Sequence, residues 1–380
     1  MTHDDKTQDG KTQNGNAQGG SNADARHLNR PLNRRTLLLG ASLAAAAHAA
    51  GCSAASDLGA LETGTEDAKE KDSEPLAAAA SSAIDLSGLS ILITGCSSGF
   101  GRLGAEHYAR LGAKVFATMR NLPRAEATEL EALAASDNLD ITVLEIDVTN
   151  DVQVKAGVDA AQRLAGGALD VLINNAGMSI AGPIEAQDME ATQLIFDTNV
   201  YGPQRLIKAA LPAMRAAGNG HIFNITSQLG RVIIPGFGQY SPTKFALEAL
   251  SEQLAYETAS HGIEVTIIQP GGYPTKIWSN QNIPSGALKA RLPEDITSAY
   301  PQMTAGMGKR DAGGGGEADP MDIPRAIAAA AALPKGSRPL RIALHPVARP
   351  QEAINAVSKK MQIAVLGESP YGPAVKGVLD

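Results

Sequence analysis

The chain has 380 residues, 43% hydrophobic and 19% charged, with 39 glycines, 4% aromatic residues and a net charge of −7. This balance excludes collagen-like, coiled-coil and wholly disordered chains. Without an excess of Lys and Arg to neutralise phosphates, it also argues against a nucleic-acid partner. Two cysteines, Cys52 and Cys96, are too few for a disulfide framework, and neither they nor the seven scattered histidines have metal-ligand spacing. No metal site is expected.

Residues 1–29 are polar and carry no apolar periodicity. They are followed by Arg30-Pro-Leu-Asn-Arg34-Arg35-Thr-Leu-Leu-Leu39 and an Ala-rich stretch to Ala50. A basic region ahead of a short apolar run is the grammar of an export signal, too short to remain as a membrane-spanning helix. The paired arginines resemble a twin-arginine signal, so residues 1–51 read as an export segment. Ala49-Ala50-Gly51-Cys52 resembles a lipobox, although Ala49 stands where leucine is usual. The alternatives are lipidation of Cys52, the one route to a membrane, and ordinary cleavage nearby. Residues 52–85 contain two lysines against eight acids and read as a disordered acidic linker. The expected location is the periplasm or cell envelope; a downstream translation start would leave the protein cytoplasmic.

The body, residues 86–380, is large enough to bury about 75% of its unfolded surface in one core. Short β-rich runs recur along it, at Ser90–Thr94, Lys114–Met119, Ile141–Ile146, Val171–Asn174, His221–Thr226, Glu264–Gln269 and Leu340–Leu344. Helical patterns lie between them, such as Leu247, Leu250 and Leu254 at spacings of three and four. Apolar strands alternating with helices predict an α/β fold, a single doubly wound domain with a mainly parallel seven-stranded sheet. Ligand is then expected at the carboxyl ends of the strands.

The first strand runs directly into Thr94-Gly95-Cys96-Ser97-Ser98-Gly99-Phe100-Gly101 and a helix. Glycines let the backbone turn sharply and approach a pyrophosphate, which the free N–H groups of the helix start attract. Asp147-Val148 follows the third strand, Asn174-Asn175-Ala176-Gly177 the fourth, and Asn199 falls in a DTNVYG stretch. Ser227 closes the fifth strand, Tyr240-x3-Lys244 follows thirteen residues later, and Pro270-Gly271-Gly-Tyr-Pro-Thr275 follows the sixth.

This set, in this order, resembles the short-chain dehydrogenase/reductase family over about residues 88–276, with a family-like last strand to about 345. Gly230–Glu257 looks like the branch holding hydroxysteroid and retinol dehydrogenases. The resemblance implies a Rossmann-type domain and an oxidoreductase that interconverts a carbonyl and a secondary alcohol by hydride transfer. It implies that Gly95, Ser97, Ser98, Gly99, Phe100, Gly101, Asp147, Val148, Asn175, Ala176, Gly177, Pro270, Gly271 and Thr275 line the dinucleotide. Tyr240 and Lys244 would also touch it, Lys244 at the nicotinamide ribose.

The residue types suit that chemistry. A free tyrosine, with a pKa of about 10, is a poor base at neutral pH. A neighbouring ammonium favours the phenolate, so Lys244 is expected to bring Tyr240 toward working pH as general acid and base. Pro242 restricts this stretch to the first turn of a helix, which puts Tyr240 at its mouth. Ser227 would stabilise charge on the reacting oxygen. Asn199 would hold a water beside Lys244, the alternative being a purely structural hydrogen-bonding role.

The second strand ends Ala117-Thr118-Met119-Arg120-Asn121, without the acid that would bind adenosine ribose hydroxyls. Arg120 is therefore the candidate for a 2′-phosphate and NADP(H) the expected cofactor, with NAD(H) retained and a solvated surface charge as the alternative for Arg120. Residues 277–320, with Trp278, Tyr300 and Gly313–Gly316, are expected to form a mobile substrate lid. Ile277, Trp278, Ile283 and Leu288 suggest an apolar small-molecule carbonyl or alcohol, and a homo-oligomer is left open. Two rivals use the same fold: a non-catalytic dinucleotide sensor, and an epimerase or dehydratase, whose usual Gly-x-x-Gly-x-x-Gly this chain lacks.

Overall fold

The computed structural model describes residues 84–311 and 316–379. The export segment, Cys52, most of the acidic linker and Gly313–Gly315 lie outside the described residues.

Seven strands form one sheet: β1 (Ser90–Thr94), β2 (Lys114–Met119), β3 (Ile141–Glu145), β4 (Val171–Asn174), β5 (Gly220–Ile225), β6 (Ile263–Pro270) and β7 (Arg341–Leu344). Their order is β3-β2-β1-β4-β5-β6-β7, and every pairing is parallel, where the sequence predicts a mainly parallel sheet. Parallel neighbours need crossover helices, which cover both faces and explain why the strands are apolar throughout rather than alternating. Helices α1 (Gly99–Arg110), α2 (Ala125–Asp137), α3 (Asp151–Ala165), α4 (Met189–Phe196), α5 (Gly202–Ala217) and α6 (Tyr240–Thr258) supply these connections.

β1 shows how the layers divide. Ile91 and Ile93 point into a core made with Tyr108 of α1 and Leu130 of α2. Leu92, on the opposite face, meets Val154 and Val158 of α3 and Leu206 and Met214 of α5. A period of two along the strand thus distributes one pentapeptide between two cores. Leu86 is fully buried, and its N–H donates to Leu111 O at 2.8 Å, closing the start of the fold.

After β6 the chain forms four short helices, α7 (Ile277–Asn280), α8 (Asn282–Ala290), α9 (Glu294–Ala299) and α10 (Pro301–Ala305). This is the stretch expected from the sequence to form a mobile substrate lid. Prolines sit at the starts of these helices: Pro293 caps α9, Pro301 is in the first turn of α10, and Pro284 is the third residue of α8. The segment is docked. Leu288 and Met307 are buried with Ile180 and Ile195, and Ala181 N–H donates to Ser285 Oγ at 2.9 Å. Arg291 pairs with Asp188, which also caps α4. Helix α11 (Asp322–Ala332) then leads to β7, and α12 (Gln351–Leu366) and α13 (Gly372–Leu379) close the described chain.

The strand order reverses between β1 and β4, since α1 leads away to one side and the later units to the other. The loops after these two strands therefore separate, and a crevice opens at their carboxyl ends.

Candidate active site

The first wall of the crevice is the turn between β1 and α1. Gly95 and Gly99 adopt φ values of +77° and +58°, which L side chains rarely reach. A Cβ on Gly101 would lie 2.4 Å from Gly95 O and 2.6 Å from Asn175 Nδ2. The turn closes so tightly that only hydrogen fits there. Ser98 makes no side-chain cap, and no acid stands in the first turn of α1. Its N–H groups therefore have no anionic competitor, and the cradle suits a pyrophosphate. Ser97 is half-buried beside it. Cys96 is fully buried, with its thiol pushed up to about 12 by desolvation, and is part of the packing rather than a nucleophile. Phe100 turns toward the interior, its ring 5.6 Å from that of Tyr273.

The second wall follows β4. Thr94 Oγ1 accepts the N–H groups of Asn175 and Ala176, both at 3.0 Å, while Asn175 Nδ2 donates to Thr94 O at 2.8 Å. Thr94 was not singled out in the sequence, yet it joins the two loops. Asp147 Oδ1 accepts from Thr149 N and Oγ1 at 2.9 and 2.7 Å, which fixes its turn. Val148 is buried against Gly202. Thr275 closes over the glycine turn, 3.5 Å from where a Gly99 Cβ would be. Gly271, beside Pro270, is required by His345, whose ring would meet a Cβ at 2.6 Å. Arg120 is exposed at the end of β2 and forms no ion pair among the described residues. Arg124 nearby is instead held by both oxygens of Glu126 at 2.9 Å.

The reacting groups meet where β5 ends and α6 begins. Tyr240 is the first residue of α6, so Lys244 lies one turn behind it, its Nζ 5.6 Å from the Tyr240 ring centroid. Lys244 is buried, and its ammonium donates to Ile225 O at 2.9 Å. Ser227 Oγ accepts from Leu229 N–H at 3.0 Å and donates to Pro270 O at 3.4 Å, which fixes it at the strand ends.

Asn199 sits in a π-helical turn, Asp197–Tyr201. Its Oδ1 accepts from Met178 N–H at 2.8 Å, and its Nδ2 donates to Met178 O and Thr243 Oγ1 at 2.9 and 3.1 Å. These bonds fix the Asn199 side chain against the turn after Gly177. A Cβ on Gly177 would be 3.4 Å from Asn199 Oδ1 and 3.7 Å from Lys244 Nζ, so both groups face that glycine. Thr243, whose hydroxyl also donates to Tyr240 O at 2.7 Å, links Asn199 to the start of α6. Its position between Tyr240 and Lys244 was the one available signal for it.

The electrostatics depart from expectation. Burial pushes the Tyr240 phenol up to about 12, only partly opposed by its hydrogen bond with Ser227. Burial also pushes Lys244 down to about 8, against the attraction of Glu248 one turn on. Desolvation disfavours the charged form of each, and at the phenol it outweighs the hydrogen bond with Ser227. At neutral pH Tyr240 is a protonated donor, and Lys244 is still mostly an ammonium.

Comparison with known proteins agrees with this geometry. A family model described as short chain dehydrogenase matches residues 90–285. The chain is 40% identical over 194 residues to a 3-ketodihydrosphingosine reductase of Bacteroides thetaiotaomicron, covering 51% of this chain and 67% of that protein. It is 38% identical over 189 residues to human retinol dehydrogenase 8, covering 49% of this chain and 59% of that protein. A crystal structure of a short-chain dehydrogenase from Streptomyces avermitilis superimposes with a TM-score of 0.56 at 29% identity, over 74% of this chain and 98% of that one.

The depressed Lys244 value gives a pH dependence. The charged form predominates below about pH 8 and is lost above it. Because kcat/KM for the nucleotide reports the nucleotide-free protein, this parameter is expected to be flat up to about pH 8 and to fall beyond. A profile flat to pH 10 would show that Lys244 does not titrate there.

Proposed function

The chain belongs to the short-chain dehydrogenase family of oxidoreductases, and on that premise we propose that Tyr240 is the proton donor and acceptor in the interconversion of a carbonyl and a secondary alcohol. The observation that carries this reading is the convergence of Ser227, Tyr240 and Lys244 at the mouth of α6, beside a glycine cradle built for a pyrophosphate. When bound, a nicotinamide dinucleotide supplies or accepts the hydride. Gly95, Ser97, Ser98, Gly99 and Gly101 would hold its diphosphate, Asp147 and Val148 its adenine, and Asn175 to Gly177, Pro270, Gly271 and Thr275 its nicotinamide half.

The chain's own residues handle the proton. In reduction, oxygen of the substrate gains negative charge as the carbonyl opens. Ser227 stabilises that charge, and Tyr240, protonated at neutral pH, delivers the proton. Lys244 stands behind the phenol as a cation that offsets the phenolate left by that transfer. In oxidation the same groups run backward, and Tyr240 must first lose its proton.

NADP(H) is the proposed cofactor. Arg120 supports it, exposed at the end of β2 and without an ion-pair partner among the described residues, where an acid would reject the 2′-phosphate. The substrate is a small carbonyl or alcohol with an apolar body. Export is proposed from the sequence, on Arg34-Arg35 ahead of the apolar run, with Cys52 available for lipid attachment. A twin-arginine route carries folded proteins, which would let the nucleotide bind before transport.

Tyr240→Phe is expected to lower NADPH-dependent reduction of a ketone panel by about 10²- to 10⁴-fold while nucleotide binding, followed by calorimetry, stays within a factor of about three; equal loss of both would remove Tyr240 from the proton step. Arg120→Ala should raise KM for NADPH roughly tenfold, the worth of one charge-assisted hydrogen bond, and leave KM for NADH unchanged. Replacing Arg34 and Arg35 together by lysine should retain the protein in the cytoplasmic fraction. Unaltered fractionation would refute export by this route.

A further inference from the structure

Arg310 follows α10 in the segment that covers the crevice, and its backbone is clamped by Asn282. Asn282 Nδ2 donates to Arg310 O at 2.6 Å, and Arg310 N–H donates to Asn282 Oδ1 at 2.7 Å. Its guanidinium carbon lies 4.8 Å from the centroid of the Phe237 ring and 5.7 Å from that of Trp278. Those rings meet edge to face at 6.4 Å. Trp278 is fixed by its indole N–H, which donates to Tyr273 O at 2.8 Å. Phe237 in turn lies 6.5 Å from the Tyr240 ring, so the guanidinium is one aromatic ring from the reacting phenol.

What sets Arg310 apart is its lack of an anion. Among the described residues, Arg205, Arg338 and Arg341 are likewise partly or largely buried, and each holds a carboxylate. Arg310 is half-buried, forms no ion pair and makes no side-chain hydrogen bond among the described residues. Burial disfavours its charge and lowers its pKa. Aromatic faces recover part of that cost, but they satisfy none of the five N–H donors. The rings hold the guanidinium plane in place and leave those donors for a partner that the described chain does not provide.

We propose that Arg310 is a specificity-determining residue that receives a carboxylate carried by the substrate itself, making the substrate a keto acid or the corresponding hydroxy acid. This deepens the oxidoreductase reading and rests on it. A planar fork matches a carboxylate through two parallel hydrogen bonds, and one anchored end fixes the distance from that carboxylate to the carbonyl at Tyr240. The body of the molecule crosses Phe237.

Trp278 is the single tryptophan of the chain, so its fluorescence reports events at Arg310. The NADP⁺-loaded full-length protein is titrated with levulinate, a short keto acid, and with methyl levulinate, its neutral ester. Levulinate is expected to bind at least about tenfold more tightly, consistent with one hydrogen bond to a charged group. Arg310→Gln should abolish that preference by weakening the acid alone, and Arg310→Lys should restore part of it. Equal affinity for acid and ester in the wild type overturns the proposal. So does a preference that survives in Arg310→Gln, or an equal loss of both ligands there, which would mark a structural clamp. NADPH turnover is measured separately. Tight, Arg310-dependent binding of levulinate without any ketone reduction would sink the oxidoreductase reading and leave the carboxylate site standing.

Discussion

One carboxylate fixes the position of α6 against the sheet. Glu248, almost fully buried, accepts the Thr226 hydroxyl at 2.6 Å, the Gln269 amide at 2.9 Å and Arg341 Nε at 3.0 Å, and pairs with Arg231 at 3.3 Å. Those partners come from the ends of β5 and β6, from β7, and from the loop after Ser227. Glu252, one turn further on, pairs with Arg341 again. A buried carboxylate survives only with such a set of donors, and loss of a single partner from a buried pair typically costs about 3–5 kcal/mol. The azimuth and depth of the helix follow from this cluster. With them comes the placement of Tyr240 and Lys244 over Ser227, because Thr226 precedes the serine directly and Lys244 stands one turn before the glutamate.

Local features were legible in the sequence. Each β-rich run became a strand, with ends shifted by a residue or so, and the spacing of Gly95, Gly99 and Gly101 announced a turn that the backbone angles bear out. Pro242 located the mouth of α6. What depends on contacts between distant residues was not legible. Glu248 and Arg341 are 93 positions apart, and Arg310 reaches Phe237 only through the fold. The contact of Asn199 with Met178, brought to it by the turn after β4, is likewise absent from any local pattern. The helices after β6 were hidden by prolines, which mark a break in a sequence but serve equally well in a first helical turn.

The titration of Tyr240 and Lys244 shows a related limit. Proximity of an amine to a phenol is visible in a Tyr-x3-Lys spacing, but the dielectric around them is not. Lys244 sits under strand ends and helix at 5% exposure, and that enclosure decides the direction of both shifts. A pair that sequence chemistry reads as a charged couple is, in the folded protein, two groups each held toward neutrality. Solvent exclusion here also strengthens any later interaction with a charged partner.

Cys96 has a consequence beyond packing. It lies inside the glycine turn, sealed from solvent and held as the un-ionised thiol, so oxidants and disulfides find no thiolate to attack. As the one cysteine among the described residues, it leaves that domain no accessible thiol for a cross-link. A change of compartment between reducing and oxidising therefore finds no exposed sulfhydryl in the described domain to couple.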